Sequence, residues 1–158
     1  MNIAPDTEVV HVSLPEKRFP PGRTLALHPR LGLLARLSAG AGESGPRLLG
    51  AALLDQDECR VLAALLSVFP KLCPYEVALA FLTYAVVDEQ AVIRCRERLQ
   101  LARQAGYWAA EIAGVRVALS SANAKLGCLG LKVCAALDTG YALVQSPGSP
   151  GERAAPAA

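Results

Sequence analysis

The stretch that decides the fold is Gly114 to Val144, GVRVALSSANAKLGCLGLKVCAALDTGYALV. Val115, Leu119 and Leu126, with Ala122 between them, repeat at helical spacing and make one apolar stripe. The opposite face carries Arg116, Ser120, Asn123 and Lys125, short polar groups and two cations, which suits a groove or a wet surface. Gly127 and Gly130 stop the helix. Leu131 to Ala135 then reads as a strand, Asp138-Thr139-Gly140 as a turn, and Tyr141 to Val144 as a returning strand. The expectation is a helix docked on a β-hairpin.

Val115, Val117, Leu119, Ser120, Lys125, Leu126, Gly127, Gly130, Leu131, Val133, Thr139, Gly140, Tyr141, Leu143 and Val144 fall in an order that resembles the winged helix-turn-helix output domain of OmpR-type response regulators. The resemblance implies that the helix enters a DNA major groove and that the hairpin touches the backbone beside it. Arg116, Ser120, Ser121, Asn123 and Lys125 would then approach base edges and phosphates, with Thr139 at the wing turn. The family's helix usually carries arginines where this chain has Ser121, Asn123 and Ala124. The expectation is an output domain of this kind without a receiver domain ahead of it.

Working outward, the resemblance extends over about residues 23 to 145. Arg23 to His28 alternates with period two, Pro29-Arg30 offers a turn and Leu31 to Leu37 continues extended, which together predict a hairpin. Leu25, Leu27 and Pro29 match the family's "L-x-L-x-P" run, and Arg47 to Leu53 reads as a further short strand. Residues 1 to 22 read as an N-terminal extension with one edge-strand run, Val9 to Leu14, and loop around Pro15, Pro20 and Pro21. Residues 146 to 158, rich in Pro, Gly and Ala, read as a disordered tail.

Asp55 and Glu58 have capping-box spacing, with Leu54 ahead as a hydrophobic staple. Cys59, Leu62, Leu65, Leu66 and Phe69 predict a helix buried on one side and ended by Pro70. Leu54, Asp55, Glu58, Val61 and Leu62 are counterparts of the family's "L-T-x-x-E-x-x-L-L" start. Pro74 suits the first position of a second helix running to about Thr83.

A helix from Asp88 to Ala105 follows, with Val92, Cys95, Leu99 and Ala102 buried and Gly106 closing it. The family has only a short loop here. Residues 75 to 108 could themselves form a helix-turn-helix, so both 88 to 105 and 114 to 126 stand as candidate recognition helices. The later one is favoured because it leads straight into the hairpin. Trp108, the single tryptophan, reads as a core plug.

Composition fits one compact domain with an aliphatic core, 53% hydrophobic, 19% charged and 5% aromatic residues, and the helix and strand readings with the resemblance make the expected class α+β. No run reaches the roughly 20 apolar residues of a membrane span, which points to a cytoplasmic protein without a membrane partner. The net charge of +2 is unevenly spread. Arg94, Arg96, Arg98, Arg103, Arg116, Lys125 and Lys132 face only Glu97 and Glu111 within residues 94 to 132, which would orient the molecule on a polyanion.

Five cysteines without C-x-x-C or Cys/His clustering argue against a metal site, and Cys59 and Cys95, on apolar helical stripes, read as small hydrophobes. No nucleotide-binding, nucleophile-elbow or zinc-protease motif is present, so neither a catalytic residue nor a cofactor is expected. The functional expectation is therefore a DNA-binding transcriptional regulator acting on double-stranded DNA. The alternative is a protein-interaction or homodimerisation module that keeps the fold without autonomous DNA binding, packing through the small residues Ser120, Ser121, Ala122 and Ala124.

Overall fold

A computed structural model describes residues 2–7, 9–39, 45–136 and 138–147. The chain is α+β. Four strands, β1 (Val10–Ser13), β2 (Arg23–His28), β3 (Leu33–Ser38) and β4 (Arg47–Leu53), form an antiparallel sheet in sequence order. Helix α1 (Gln56–Val68) follows, then a two-residue strand β5 (Cys73–Pro74) and helices α2 (Tyr75–Thr83), α3 (Glu89–Ala105), α4 (Trp108–Glu111) and α5 (Ala113–Leu126). Strands β6 (Leu131–Ala136) and β7 (Gly140–Gln145) close the chain, and the second sheet has the order β5-β7-β6.

The first sheet already includes β1, so it begins inside the segment expected to be an extension. That segment also buries Leu14 and Phe19, pairs Ile3 with Val87 and joins Asp6 to Arg60 at 2.5 Å. The tail expected from 146 to 158 lies largely outside the described residues.

Helix α1 starts as expected. The Asp55 side chain accepts from the Glu58 amide at 2.8 Å while Glu58 Oε2 accepts from the Asp55 amide at 3.0 Å. It is not buried on one side only, however. Val61, Leu62, Ala63, Ala64, Leu65 and Leu66 are all buried, because α1 lies between the first sheet and the helices α2 and α5. A helix covered all round loses the periodic contrast from which a single buried face is read.

Pro74 stands one place earlier than expected, as the N-cap of α2 rather than its first residue. Its extended conformation lets Cys73 and Pro74 pair with Tyr141 and Gly140. A two-residue strand has no periodicity to read, which is why sequence patterning misses it.

Helix α3 buries Ala91, Cys95, Leu99 and Ala102, and Gly106 takes the left-handed conformation at its end. Helix α5 buries Val115, Ala118, Leu119, Ala122 and Leu126, the expected stripe. Buried Arg36 of β3 donates to the Leu129 carbonyl at 2.7 Å, so the first sheet is fastened to the turn that carries α5 into β6.

Candidate nucleic-acid interface around α5

The polar face of α5 is divided among three directions. On one flank Ser121 and Lys125, one turn apart, reach Glu58 of α1: the Ser121 hydroxyl donates to Oε1, and Lys125 Nζ lies 2.7 Å from Oε2. Glu58 is 1% exposed and serves at once as capping residue and as anchor for α5. Burial pushes its carboxyl up, but Lys125, Ser121 and the Asp55 amide together hold it below its ordinary range.

On the other flank Asn123 is fastened to β6, its Oδ1 accepting from the Val133 amide at 2.9 Å and its Nδ2 donating to the Val133 carbonyl at 3.5 Å. Between the flanks runs a crest of Val117, Ser120 and Ala124. Val117 is 70% exposed, so beside its polar groups the outward face carries a branched apolar one.

Of the six residues singled out as contacts, Ser121, Asn123 and Lys125 are thus engaged with the protein's own elements. Reading a base edge with Asn123 would require releasing two bonds to Val133. These residues hold α5 against α1 and β6. An Asn123→Ala variant is expected to lose about 1 kcal/mol of stability by chemical denaturation, the worth of part-buried amide bonds to the backbone.

The remaining three lie around an aromatic cluster. Trp108 and Tyr75 meet edge to face with centroids 5.0 Å apart, and Tyr75 meets Tyr141 in the same way at 5.2 Å. Trp108 packs against the core, as a plug should. It is also flanked by two cations: Arg103 at the end of α3 lies 5.4 Å from its ring centroid and Arg116 at the start of α5 lies 5.1 Å away.

Thr139, on the β6–β7 turn, lines a shallow depression with Arg96, Arg103, Trp108 and Asp138. Ser120 stays exposed, one turn after Arg116. Arg103 is the member of this group that site reasoning on the 114 to 144 stretch passes over. Its only signal in sequence is the charge excess of residues 94 to 132.

Cys59, Cys73 and Cys95 are buried, and burial pushes the Cys59 and Cys73 thiols up to about 11 and about 12. Such thiols are poor nucleophiles and poor metal ligands at neutral pH. Among the described residues no group of His, Cys, Asp and Glu could hold a metal ion, and no helix is long and apolar enough to cross a membrane.

Fold and site together define an α+β protein whose last long helix and β-hairpin share an aromatic, cation-flanked surface. Comparison with protein-family models, with curated proteins and with solved structures gives no match.

Proposed function

We propose that this chain is a DNA-binding module of the winged-helix kind, a transcriptional regulator resembling the OmpR-type output domain, with α5 as recognition helix and β6–β7 as wing. The observation that carries the reading is the convergence of Arg103, from α3, and Arg116, from α5, on Trp108 beside the β6–β7 turn. Cations from both candidate recognition helices therefore belong to one surface, at the place where a phosphate backbone would run past the wing.

The order of a four-stranded sheet, α1, α2, α5 and a hairpin also supports it, and α3 with α4 is then an insertion before the recognition helix. Base reading falls to Ser120 alone among the polar contacts expected on α5, so affinity comes mainly from phosphate contacts and sequence preference is weak.

Retention on duplex DNA at low salt tests the proposal. With Arg103 and Arg116 each neutralising one phosphate, the logarithm of affinity should fall with the logarithm of salt with a slope of about −2, and Arg116→Glu should abolish retention. Absence of retention at low salt overturns the reading.

A second reading, a protein-interaction module, has its own support. Strand β4 leaves Leu48, Leu49 and Leu53 exposed, with Leu31 nearby in the β2–β3 turn, and the α5 crest is small and neutral. Sedimentation at micromolar concentration separates the two readings: a dimer that dissociates when Leu53→Lys is introduced favours the second.

A further inference from the structure

We infer that the cavity between α5 and the β5-β7-β6 sheet is a binding site for a small organic carboxylate with a short apolar body. The cavity has a volume of about 270 Å³ and is lined by residues from α2, α5 and both hairpin strands. Its walls divide by chemistry. Leu119, Val133 and Ala135 supply an apolar side, while Arg116, Ser120 and Tyr141 supply a polar one.

Two neighbouring groups at the polar side point to a ligand. Tyr141 is 6% exposed, yet its hydroxyl has no acceptor among the described residues, the one polar side chain that acts on it being the donor Arg116. A buried hydroxyl left without a partner costs roughly 1 to 3 kcal/mol, so it calls for an acceptor. Arg116, close enough to that hydroxyl to act on its ionisation, forms no ion pair with a carboxylate among the described residues, and its guanidinium is held over the Trp108 ring.

A guanidinium and a phenol O–H donating toward one small space are complementary to an anionic oxygen. Burial pushes the Tyr141 phenol up, so at neutral pH it stays protonated and can donate. Ser120, one helical turn from Arg116, adds a hydroxyl at the mouth.

The count of charges selects the class of anion. Among the described residues Arg116 is the single charged one lining this cavity, which balances a monoanion and leaves a phosphate dianion half unpaired. The cavity has room for a carboxylate plus a ring or short alkyl chain against Leu119 and Val133. Asn123 makes no claim on the ligand, because both ends of its amide are used by Val133.

This inference does not rest on DNA binding, and its test contains no DNA. Benzoate, hexanoate and inorganic phosphate are titrated separately into the full chain. The fluorescence of the single tryptophan, Trp108, reports displacement of Arg116, and the amide resonances of Ser120, Val133 and Ala135 report occupancy.

The expected result is saturable binding of a carboxylate with Kd at or below about 1 mM, within reach of a ligand of this size making one charged contact. Binding should weaken about tenfold in Tyr141→Phe, which keeps the ring and removes the donor, and at least as much in Arg116→Gln. Arg94→Gln, on α3 and outside the cavity lining, should bind as the unaltered chain does. The inference is overturned if neither carboxylate saturates in the millimolar range, if Tyr141→Phe binds as tightly as the unaltered chain, or if phosphate binds as well as the carboxylates. An unshifted melting temperature in Tyr141→Phe keeps any loss from being ascribed to unfolding.

Discussion

Replacing Glu58 by alanine is expected to destabilise the protein by about 3 kcal/mol, read as a fall of about 10 °C in the melting temperature of a chain this size. Glu58 Oε2 accepts from both the Asp55 amide and Lys125, and Oε1 accepts from Ser121. The substitution thus uncaps α1 and unfastens α5 in one step. The Lys125 end of the pair is 41% exposed and can return to water, so the loss stays near the lower end of the range for a broken buried ion pair.

Acid should reproduce part of this effect. The folded carboxyl is held below its ordinary value of 4.5, so its contribution is complete above that pH and is lost as pH falls through the folded value. Asp6, held low chiefly by its hydrogen bond to Arg60, acts in the same direction. Melting temperature measured from pH 6 downward should therefore be level above about 4.5 and decline below it. Glu58→Gln, which cannot ionise, should start lower and decline less. A Glu58→Gln variant with an unchanged acid limb would show that this carboxylate is not the group responsible.

Glu58 also marks the limit of what the sequence discloses. Its capping role is local: Asp55 and Glu58 are three residues apart, and the box is readable from that spacing alone. Its second role links it to Ser121 and Lys125, 63 and 67 positions away, and no local pattern announces that. Six of the seven strands, four of the five helices, the stripe of α5 and, apart from Ala91 in place of Val92, that of α3 follow from periodicity and stop signals acting within a few residues. The four-residue α4 and two-residue β5 are too short to carry a period.

Side-chain direction on a polar face is the harder matter. Arg116, Ser120, Asn123 and Lys125 appear as one solvent-facing set because all four are polar, although Arg116 and Asn123 each stand one turn from Leu119 and so at the border of the polar half of α5. That half is wide enough to touch α1 on one edge and β6 on the other, so Asn123 and Lys125 find partners inside the protein. Only the crest between them is left outward. What sequence could show was the excess of positive charge along residues 94 to 132. What it could not show was that Arg103 and Arg116 meet over a single indole.

The second large effect is expected at Gly140, where alanine should cost more than about 3 kcal/mol and separate β5 from β7. A Cβ built there would lie 2.0 Å from the Cys73 carbonyl oxygen and 2.8 Å from its carbon, well inside contact distance, and the φ of +155° is one that side-chain-bearing residues rarely adopt. The obstacle is backbone and cannot swing aside. Relief requires moving β5, which is bracketed by α1 and by the start of α2. Tyr75 begins α2 and meets both Trp108 and Tyr141, so the displacement should spread into the aromatic cluster and change the Trp108 fluorescence of the native state.

Gly127→Ala provides the contrast. It lies at φ −56° with nothing within 4 Å of an added Cβ, and alanine there should be neutral or stabilising by about 0.5 kcal/mol through the unfolded chain. Denaturant titration of both variants measures the difference. Equal stability of the two would mean that the β5–β7 contact is not held as closely as the Gly140 geometry requires, and with it the cavity wall that Tyr141 forms.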